Sequence, residues 1–226
     1  MAQLALHSSG AATGSSRDHF ARYFGDRRRV FIPAIHVHDR NQAWRDADTV
    51  HHRGADGVFL VNHGIGYQKL LRIARIVAGR HPGWFVGVKC LDLRPQDVFC
   101  RLPPEVGGVW TDIPTGTSNR KEARAYQTAI KQARRDSNWN GLHFVTVNPF
   151  LQDESPIGPA IADFADVIVT ADAAGQSQDN LLQQVRSILP GCPVATLTRR
   201  PEEDPPRIAP ASCQHRNAEA KNCRSQ

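Results

Sequence analysis

The sequence predicts an α/β fold, a TIM-type (β/α) barrel with seven recognisable βα units and an eighth unit that is missing or irregular. Short apolar segments rich in Val, Ile and Phe recur along the chain, and helix-like segments separate them. Continuous apolar segments are typical of strands that are buried on both faces of a parallel sheet. A doubly wound sheet would place a GxGxxG turn after an early strand, and the sequence has no such turn. Regular spacing and polar residues at nearly every strand end therefore favour the barrel.

The apolar segments define the predicted strands. In chain order they cover residues 31–37, 57–62, 84–91, 108–113, 141–148, 166–171 and 193–198. The first connecting helix is predicted over residues 41–53, where Ala43, Ala47 and Val50 share one stripe and Gly54 follows as a stop signal.

The later helices are predicted from similar signals. Residues 67–79 have one apolar face, and residues 119–136 begin with an Asn cap followed by Glu122, close to a capping box. Residues 178–191 stop at a Pro-Gly pair. The connection over residues 92–105 is interrupted by Pro, so its helix should last only a turn or two.

Composition divides the chain into three regions. Residues 30–198 form the predicted barrel domain. Residues 1–29 are rich in Ser, Ala, Gly and Arg, and residues 199–226 contain only one large aliphatic side chain. Neither end can bury enough apolar surface to offset the entropy of ordering it. We therefore expect a disordered or irregular N-terminal extension and an irregular polar C-terminal tail.

Charge and cysteine content narrow the classes of partner. The 226 residues include 28 Lys and Arg against 22 Asp and Glu, for a formal net charge of +6. The basic residues are scattered without interleaved aromatic residues, so no nucleic-acid partner is expected. Five Cys residues form no CxxC pair, which argues against a zinc ribbon and a disulfide framework. No segment has the length of a membrane span or a signal-peptide core, so the expected location is cytoplasmic.

Five segments resemble the BtpA/SgcQ family of (β/α)8-barrel proteins. They are AIHV at 34–37, GADGVFLVNHG at 54–64, GVKCLDL at 87–93, WNGLHF at 139–144 and ADVIVTADAAGQ at 165–176. The resemblance implies a pocket at the carboxyl ends of the barrel strands. The family is named for a factor that affects photosystem I accumulation, and some members are predicted to act on nucleoside- or sugar-like substrates. The family's first-strand His corresponds to His36, its second-strand polar residue to Asn62, and its late Gly-Gln pair to Gly175 and Gln176.

Two departures from the family weaken the phosphate site that barrels of this type usually have. Asp172 stands where the family has glycine, and a carboxylate there would repel an anionic ligand. After residue 197 a polar tail replaces the family's eighth unit, so we expect a truncated barrel. A seven-stranded barrel would have two open edges, which predicts marginal stability and favours a homo-oligomer. The gap would close if residues 207–211, RIAPA, supplied a strand.

The candidate site residues lie at or just after the carboxyl ends of the predicted strands, where barrel pockets form. His36 is a candidate acid–base group because an imidazole titrates near neutral pH, and Asp112 is the second catalytic candidate. The expected ligand-binding residues are His38, Asn62, His63, Lys89, Asp92, Asn148, Thr170 and Gly175.

Several candidates also have a structural interpretation. Asn62 and His63 could cap the next helix instead of binding a ligand. Lys89 lies inside an apolar strand, where its charge needs a partner, either a ligand anion or Asp112.

The sequence does not define a metal site. His36, His38, Asp92 and Asp112 have a suitable composition, but they come from separate strands, so their spacing offers no test. His143 opens a strand and is therefore expected at the opposite, structural end of the barrel. The four Trp residues are expected to pack between the helices and the barrel.

Two functions remain open from the sequence. The first is a barrel that binds a small phosphorylated or ribose- or sugar-containing molecule, with an unknown reaction and no indicated cofactor. The second is a non-catalytic assembly or stability factor, photosystem-related in the family's namesake, or a degenerate barrel that has lost its phosphate site. Asp172 and the absent eighth unit favour the second.

Overall fold

Eight strands of the described residues form a closed barrel in which sequence neighbours are barrel neighbours. The computed structural model describes residues 2–7, 15–27, 29–113, 120–147, 163–171, 183, 185–187 and 193–199. The strands are β1 (Ala2–His7), β2 (Arg29–Val37), β3 (Gly57–Asn62), β4 (Phe85–Lys89), β5 (Gly108–Asp112), β6 (Leu142–Val147), β7 (Val167–Ala171) and β8 (Val194–Arg199). The helices are α1 (Ser15–Phe24), α2 (Arg40–His52), α3 (Tyr67–Arg80), α4 (Pro95–Val98) and α5 (Arg120–Ser137).

The seven predicted strands are confirmed as β2 to β8, and they run parallel to one another. Strand β3 has the predicted bounds, and the others differ by a few residues at their ends. The Pro-broken connection forms the one-turn helix α4 followed by a 3-10 turn at Phe99–Arg101. Within the described ranges there is no eighth βα unit, as the sequence predicted.

The N-terminal strand β1 closes the gap that a seven-stranded barrel would leave. It runs antiparallel to β2, with Leu4 opposite Ile32, and antiparallel to β8, with Leu6 opposite Ala195. Every residue from Ala2 to His7 has a partner on each side. Both edges are therefore paired, which removes the physical reason for expecting self-association through open edges.

Residues 1–29 are thus not wholly irregular, and the sequence-based expectation is corrected by β1 and α1. The sequence signal was weak because β1, AQLALH, contains none of the Val, Ile and Phe residues that marked the other strands. In α1, Phe20 and Phe24 are buried against the barrel interior, where the ring centroids of Phe24 and Phe85 are 5.0 Å apart. Helix α1 therefore covers the N-terminal end of the barrel. Residues 200–226, including the RIAPA segment, lie outside the described residues.

Alternation along each strand sorts the apolar side chains into two layers. One fills the barrel, and the other packs between the strands and the helices. The barrel interior contains Val30, Ile32, Ala34, Phe59, Val61, Phe85, Trp110, Leu142, Phe144, Val167, Val169 and Ala195. On β4, Gly87 leaves space for the ring of Phe59, because a Cβ at position 87 would overlap that ring.

A polar network lies at the N-terminal ends of β6 and β7. Asp166 accepts hydrogen bonds from the Arg134 guanidinium at 2.7 Å and from the backbone N–H of His143 at 2.7 Å. The ring of His19 lies 3.2 Å from the same carboxylate, so the network ties α1 and α5 to the barrel. Burial alone would raise the pKa of Asp166. The His19 hydrogen bond, the Arg134 charge and the His143 N–H outweigh that effect and lower it.

His143 is structural, as the sequence predicted. The ring is fully buried, and Nδ1 lies 3.1 Å from the carbonyl oxygen of Phe164 and Nε2 lies 2.8 Å from the Thr111 hydroxyl. A carbonyl can only accept, so Nδ1 donates and Nε2 accepts from Thr111. The neutral imidazole is therefore fully hydrogen-bonded. Burial, aided by the charge of Arg134, lowers its pKa to about 4.

This burial predicts acid sensitivity. The unfolded chain takes up a proton on His143 below about pH 6.5, whereas the folded protein does so only near pH 4. Stability is therefore lost as the pH falls through this window, by roughly 3 kcal/mol. His19 acts in the opposite sense. Its pKa is raised, chiefly by Asp166, so its contribution is lost as the pH rises through the folded value.

Urea unfolding from pH 4 to 8 checks this prediction. We expect a His143→Gln variant to have a shallower fall in unfolding free energy between pH 6.5 and 4 than the wild type. The exposed His52, replaced in His52→Gln, provides the control variant with which the His143→Gln profile is compared. The prediction would be contradicted if the unfolding free energies of the wild type and of His143→Gln fell equally between pH 6.5 and 4.

Among the helices of the described ranges, none combines the length and apolarity that a bilayer crossing requires.

Candidate functional site

The mouth of the barrel at the carboxyl ends of its strands carries the polar residues of the interior. On β4 and β5, Lys89 and Asp112 come two positions after the interior positions Gly87 and Trp110, so they lie on the same face. His36 on β2 likewise follows the interior residue Ala34. The structure thus brings His36, Lys89 and Asp112 to one end of the barrel, as the sequence predicted from strand ends.

Lys89 is fixed by two neighbours. Its Nζ donates to Asp112 Oδ1 at 2.8 Å and lies 4.1 Å from the centroid of the Trp110 ring. The Lys89 side chain is 15% exposed, whereas the Asp112 side chain is 53% exposed. The ammonium has three N–H donors, and the hydrogen bond to Asp112 uses one of them. Asp112 and Trp110 therefore hold the Lys89 ammonium in place at the mouth.

A cavity of about 500 Å³ opens beside this pair. Strands β4 and β5 pair through Gly87 with Gly108 and Val88 with Val109, and their carboxyl ends, Lys89 and Asp112, lie beyond the last of these pairs. The cavity lies at these ends and has the size of a small-molecule site. Its lining comprises Lys89, Cys90, Leu91, Leu93, Arg94, Pro95, Gln96, Val98, Trp110, Thr111, Asp112, Ile113 and Tyr126.

Two other titratable groups of the cavity stay protonated at neutral pH. Burial raises the pKa of the Cys90 thiol and of the Tyr126 phenol to about 12 each. Cys90 is therefore not a thiolate nucleophile. The Tyr126 hydroxyl lies 3.5 Å from the backbone carbonyl of Asp112, to which it can donate.

Three histidines gather on the neighbouring part of the mouth. The ring centroids of His36 and His63 are 4.6 Å apart, and those of His38 and His63 are 6.3 Å apart. Partial burial, followed by the nearby His63, His38 and Lys89, lowers the pKa of His36. The His36 imidazole is thus neutral at physiological pH and can accept a proton. His38 lies just beyond β2, and its backbone N–H donates to the side chain of Gln42.

Asn62 and Asp92 hold the loops of the mouth. Asn62 is buried, its amide donates to Asp92 Oδ1 at 2.7 Å and to the Ile65 carbonyl at 3.1 Å, and its Oδ1 accepts from the Leu91 N–H at 2.6 Å. Asp92 Oδ2 accepts from the N–H of Tyr67 at 2.9 Å, which caps the start of α3. Both amide hydrogens of Asn62 are used, so the geometry favours a structural role for it. The resemblance to the BtpA/SgcQ family did not indicate this structural role of Asn62.

Thr170 differs from its predicted position. The interior residues Val167 and Val169 alternate with Ile168 and Thr170, so Thr170 faces the helix layer rather than the mouth. The side chain is buried, and its hydroxyl donates to the Ala195 carbonyl at 3.3 Å. The remaining predicted ligand-binding residues, Asn148 and Gly175, lie outside the described residues, as do Asp172 and Gln176.

Sequence reasoning misplaced one aromatic residue of the site. Trp110 was expected between the helices and the barrel, but it lies inside the barrel, where its Nε1–H donates to the Thr146 hydroxyl at 2.6 Å. The period of two was a usable signal, because Trp110 stands two residues before the predicted mouth residue Asp112. Tyr126 was also missed, because its place on α5 relative to β5 depends on tertiary packing.

The mouth histidines do not form a metal centre in the described part of the chain. No group of three or more His, Cys, Asp or Glu residues there has an arrangement that could hold a metal ion.

The fold is similar to that of a solved enzyme. The 3-dehydroquinate dehydratase of Geobacillus kaustophilus HTA426 superposes with a TM-score of 0.52 at 12% identity, over 73% of this chain and 71% of that one. Orotidine 5'-monophosphate decarboxylase of Methanocaldococcus jannaschii gives a TM-score of 0.48 at 13% identity, over 70% of this chain and 76% of that one. No protein-family model and no curated protein sequence matches the chain.

The fold and its polar mouth define the chain as an α/β barrel protein of the TIM type. At this level of identity the likeness to the dehydratase establishes the fold alone.

Proposed function

We propose that this barrel binds a small phosphorylated or ribose- or sugar-containing molecule at the carboxyl ends of its strands. The observation that supports this best is the Lys89–Asp112 pair, held over Trp110 beside a cavity of about 500 Å³. A cation and a carboxylate at one mouth match a ligand that has both an anionic group and hydroxyl groups. Lys89 contacts the anion, and Asp112 accepts a hydrogen bond from a ligand hydroxyl.

His36 is the proposed acid–base group. Its lowered pKa leaves the imidazole neutral at physiological pH, so it can take a proton from a bound ligand. We propose no particular reaction. We do propose that the chain is related to the BtpA/SgcQ family, and the five sequence segments and the barrel that contains them support this relationship.

Loss of the Lys89 charge tests the proposal. Thermal melts and titration calorimetry with ribose 5-phosphate, glucose 6-phosphate and AMP identify a ligand that raises the Tm by binding only the folded state. We expect Lys89→Met to weaken that ligand about 10- to 100-fold, because a hydrogen bond to a charged group contributes about 1.5–3 kcal/mol. The control is Lys131→Met on α5, whose partner Asp163 is exposed.

The competing function is a non-catalytic assembly or stability factor, or a barrel that has lost its phosphate site. The observation that favours this competing function is that both amide hydrogens of Asn62 are already donated to protein groups. It predicts that none of the three phosphates shifts the Tm at millimolar concentration. That outcome, or equal binding by wild type and Lys89→Met, would refute the proposed site.

A further inference from the structure

A second cavity lies on the outer surface of the barrel, between the start of α2 and one face of α3. Its volume is about 490 Å³, and its lining includes Asp39, Arg40, Lys69, Arg72, Ile73 and Ile76. None of these residues lines the cavity at the barrel mouth. We call it the α2–α3 cavity.

The sequence of α3 builds one wall of this cavity. Lys69, Arg72, Ile73 and Ile76 are spaced by three and four residues, so they form a single stripe of the helix. Ile73 is buried, whereas Ile76 is 39% exposed, one of few large apolar side chains of the described residues that face water to this extent. The stripe therefore gives the cavity an apolar floor with a cationic border.

Three cations face one carboxylate in the cavity. Among the ion pairs of the described residues, none involves Arg40, Lys69 or Arg72. This contrasts with Arg75, one turn after Arg72 on α3, which pairs with Glu105 and does not line the cavity. The one acidic residue, Asp39, caps α2, and the capping N–H groups together with the charges of Arg45 and Lys69 lower its pKa, so it keeps its negative charge. Three cations against this one carboxylate leave the cavity lining with a net positive charge.

The capping role of Asp39 and the position of Arg40 are both fixed. Asp39 Oδ1 accepts from the backbone N–H groups of Asn41 at 2.8 Å and Gln42 at 2.9 Å. The guanidinium carbon of Arg40 lies 4.7 Å from the centroid of the Trp44 ring. Stacking on an aromatic ring restricts the guanidinium and leaves its edge for hydrogen bonds. Arg40 is therefore partly preorganised for an anion.

We propose that the α2–α3 cavity is a second binding site for a phosphate monoester whose organic part is apolar. Arginine binds phosphate oxygens through paired N–H donors, which suits Arg40 and Arg72 on facing walls. The floor of Ile73 and Ile76 contacts the organic part. The cavity volume falls in the range of small-molecule sites. This site does not depend on the proposed function of the barrel mouth.

Titration calorimetry with phenyl phosphate tests the site, because this probe joins a phosphate to an apolar ring. We expect Arg72→Gln to weaken its binding at least 10-fold. The matched control is Arg75→Gln, which removes the same charge from the same helix and should change the affinity less than twofold. Inorganic phosphate and phenol should each bind more weakly than phenyl phosphate, because each lacks one half of the match.

The Lys89→Met variant separates this site from the barrel mouth. We expect it to keep the phenyl phosphate binding that Arg72→Gln loses. The proposal is overturned if phenyl phosphate does not bind at millimolar concentration, or if Arg72→Gln and Arg75→Gln weaken it equally. It is also overturned if Lys89→Met alone removes the binding. Failure of the mouth site to bind sugar phosphates leaves this result unaffected.

Discussion

Removal of residues 2–7 is expected to abolish the cooperative unfolding transition of this protein. Strand β1 is hydrogen-bonded to β2 on one side and to β8 on the other. Its loss opens two strand edges and uncovers the interior side chains Ile32 and Ala195, which are fully buried. Each backbone hydrogen bond contributes about 0.5–1.5 kcal/mol. Losing two ladders together with the apolar burial thus removes much of a total stability of roughly 5–15 kcal/mol.

Point variants in β1 make the test specific. Position 4 is paired with Ile32 and so lies on the interior face, whereas position 3 lies on the other face. We expect Leu4→Asp to lower the Tm strongly and to promote aggregation through the freed edges. The matched variant Gln3→Asp adds the same charge one residue away and should lower the Tm far less.

Thermal melts by circular dichroism, together with light scattering, check this prediction on the wild type, the truncated protein and the two point variants. A truncated protein that melts cooperatively at the wild-type temperature would show that the barrel does not need β1. Equal effects of Leu4→Asp and Gln3→Asp would contradict the register of β1 in the barrel.

Asp166→Ala is expected to destabilise the protein by about 3–5 kcal/mol. The substitution removes the carboxylate partner of the buried His143 N–H and of the Arg134 guanidinium, whose side chain is 22% exposed. Removing one partner of a buried ion pair typically costs this much, because the remaining charge stays desolvated. The carboxylate also holds His19, so α1 should loosen from the barrel.

The control for Asp166 lies three residues away. Asp163 accepts hydrogen bonds from Gln127 and Lys131, but its side chain is 59% exposed. An exposed pair contributes about 0–1 kcal/mol, so Asp163→Ala should be nearly neutral. Urea unfolding at pH 7 measures both variants. A loss below 1 kcal/mol in Asp166→Ala would mean that water compensates the network.

The strands and most helices of the barrel could be read from the sequence because their signals are local. The segment GVFLVN is apolar from Val58 to Val61, begins with Gly57 and ends with Asn62, and it forms β3 with the predicted bounds. The apolar stripe of Ala43, Ala47 and Val50 likewise identified α2, whose three residues are buried. Local periodicity reports burial directly in such elements.

The candidate site was predictable only in part. Strand ends placed His36, Lys89 and Asp112 together, because parallel strands of a barrel all end at one mouth. Thr170 faces the helix layer, and this follows from strand alternation once the interior residues are known. Asn62 joins two loops through its hydrogen bonds with Asp92, Ile65 and Leu91. No local sequence pattern predicts these three partners.

The sequence by itself determined a parallel α/β barrel with seven βα units and a polar mouth, because burial on both faces and period-two alternation leave a local trace. Only the tertiary structure decided how the barrel closes and which of the described mouth residues contact one another. Strand β1 pairs with β8 across nearly the whole chain, and Lys89 meets Asp112 from the neighbouring strand. Such long-range pairings depend on the positions of distant backbone segments, which residue order encodes only through the complete fold.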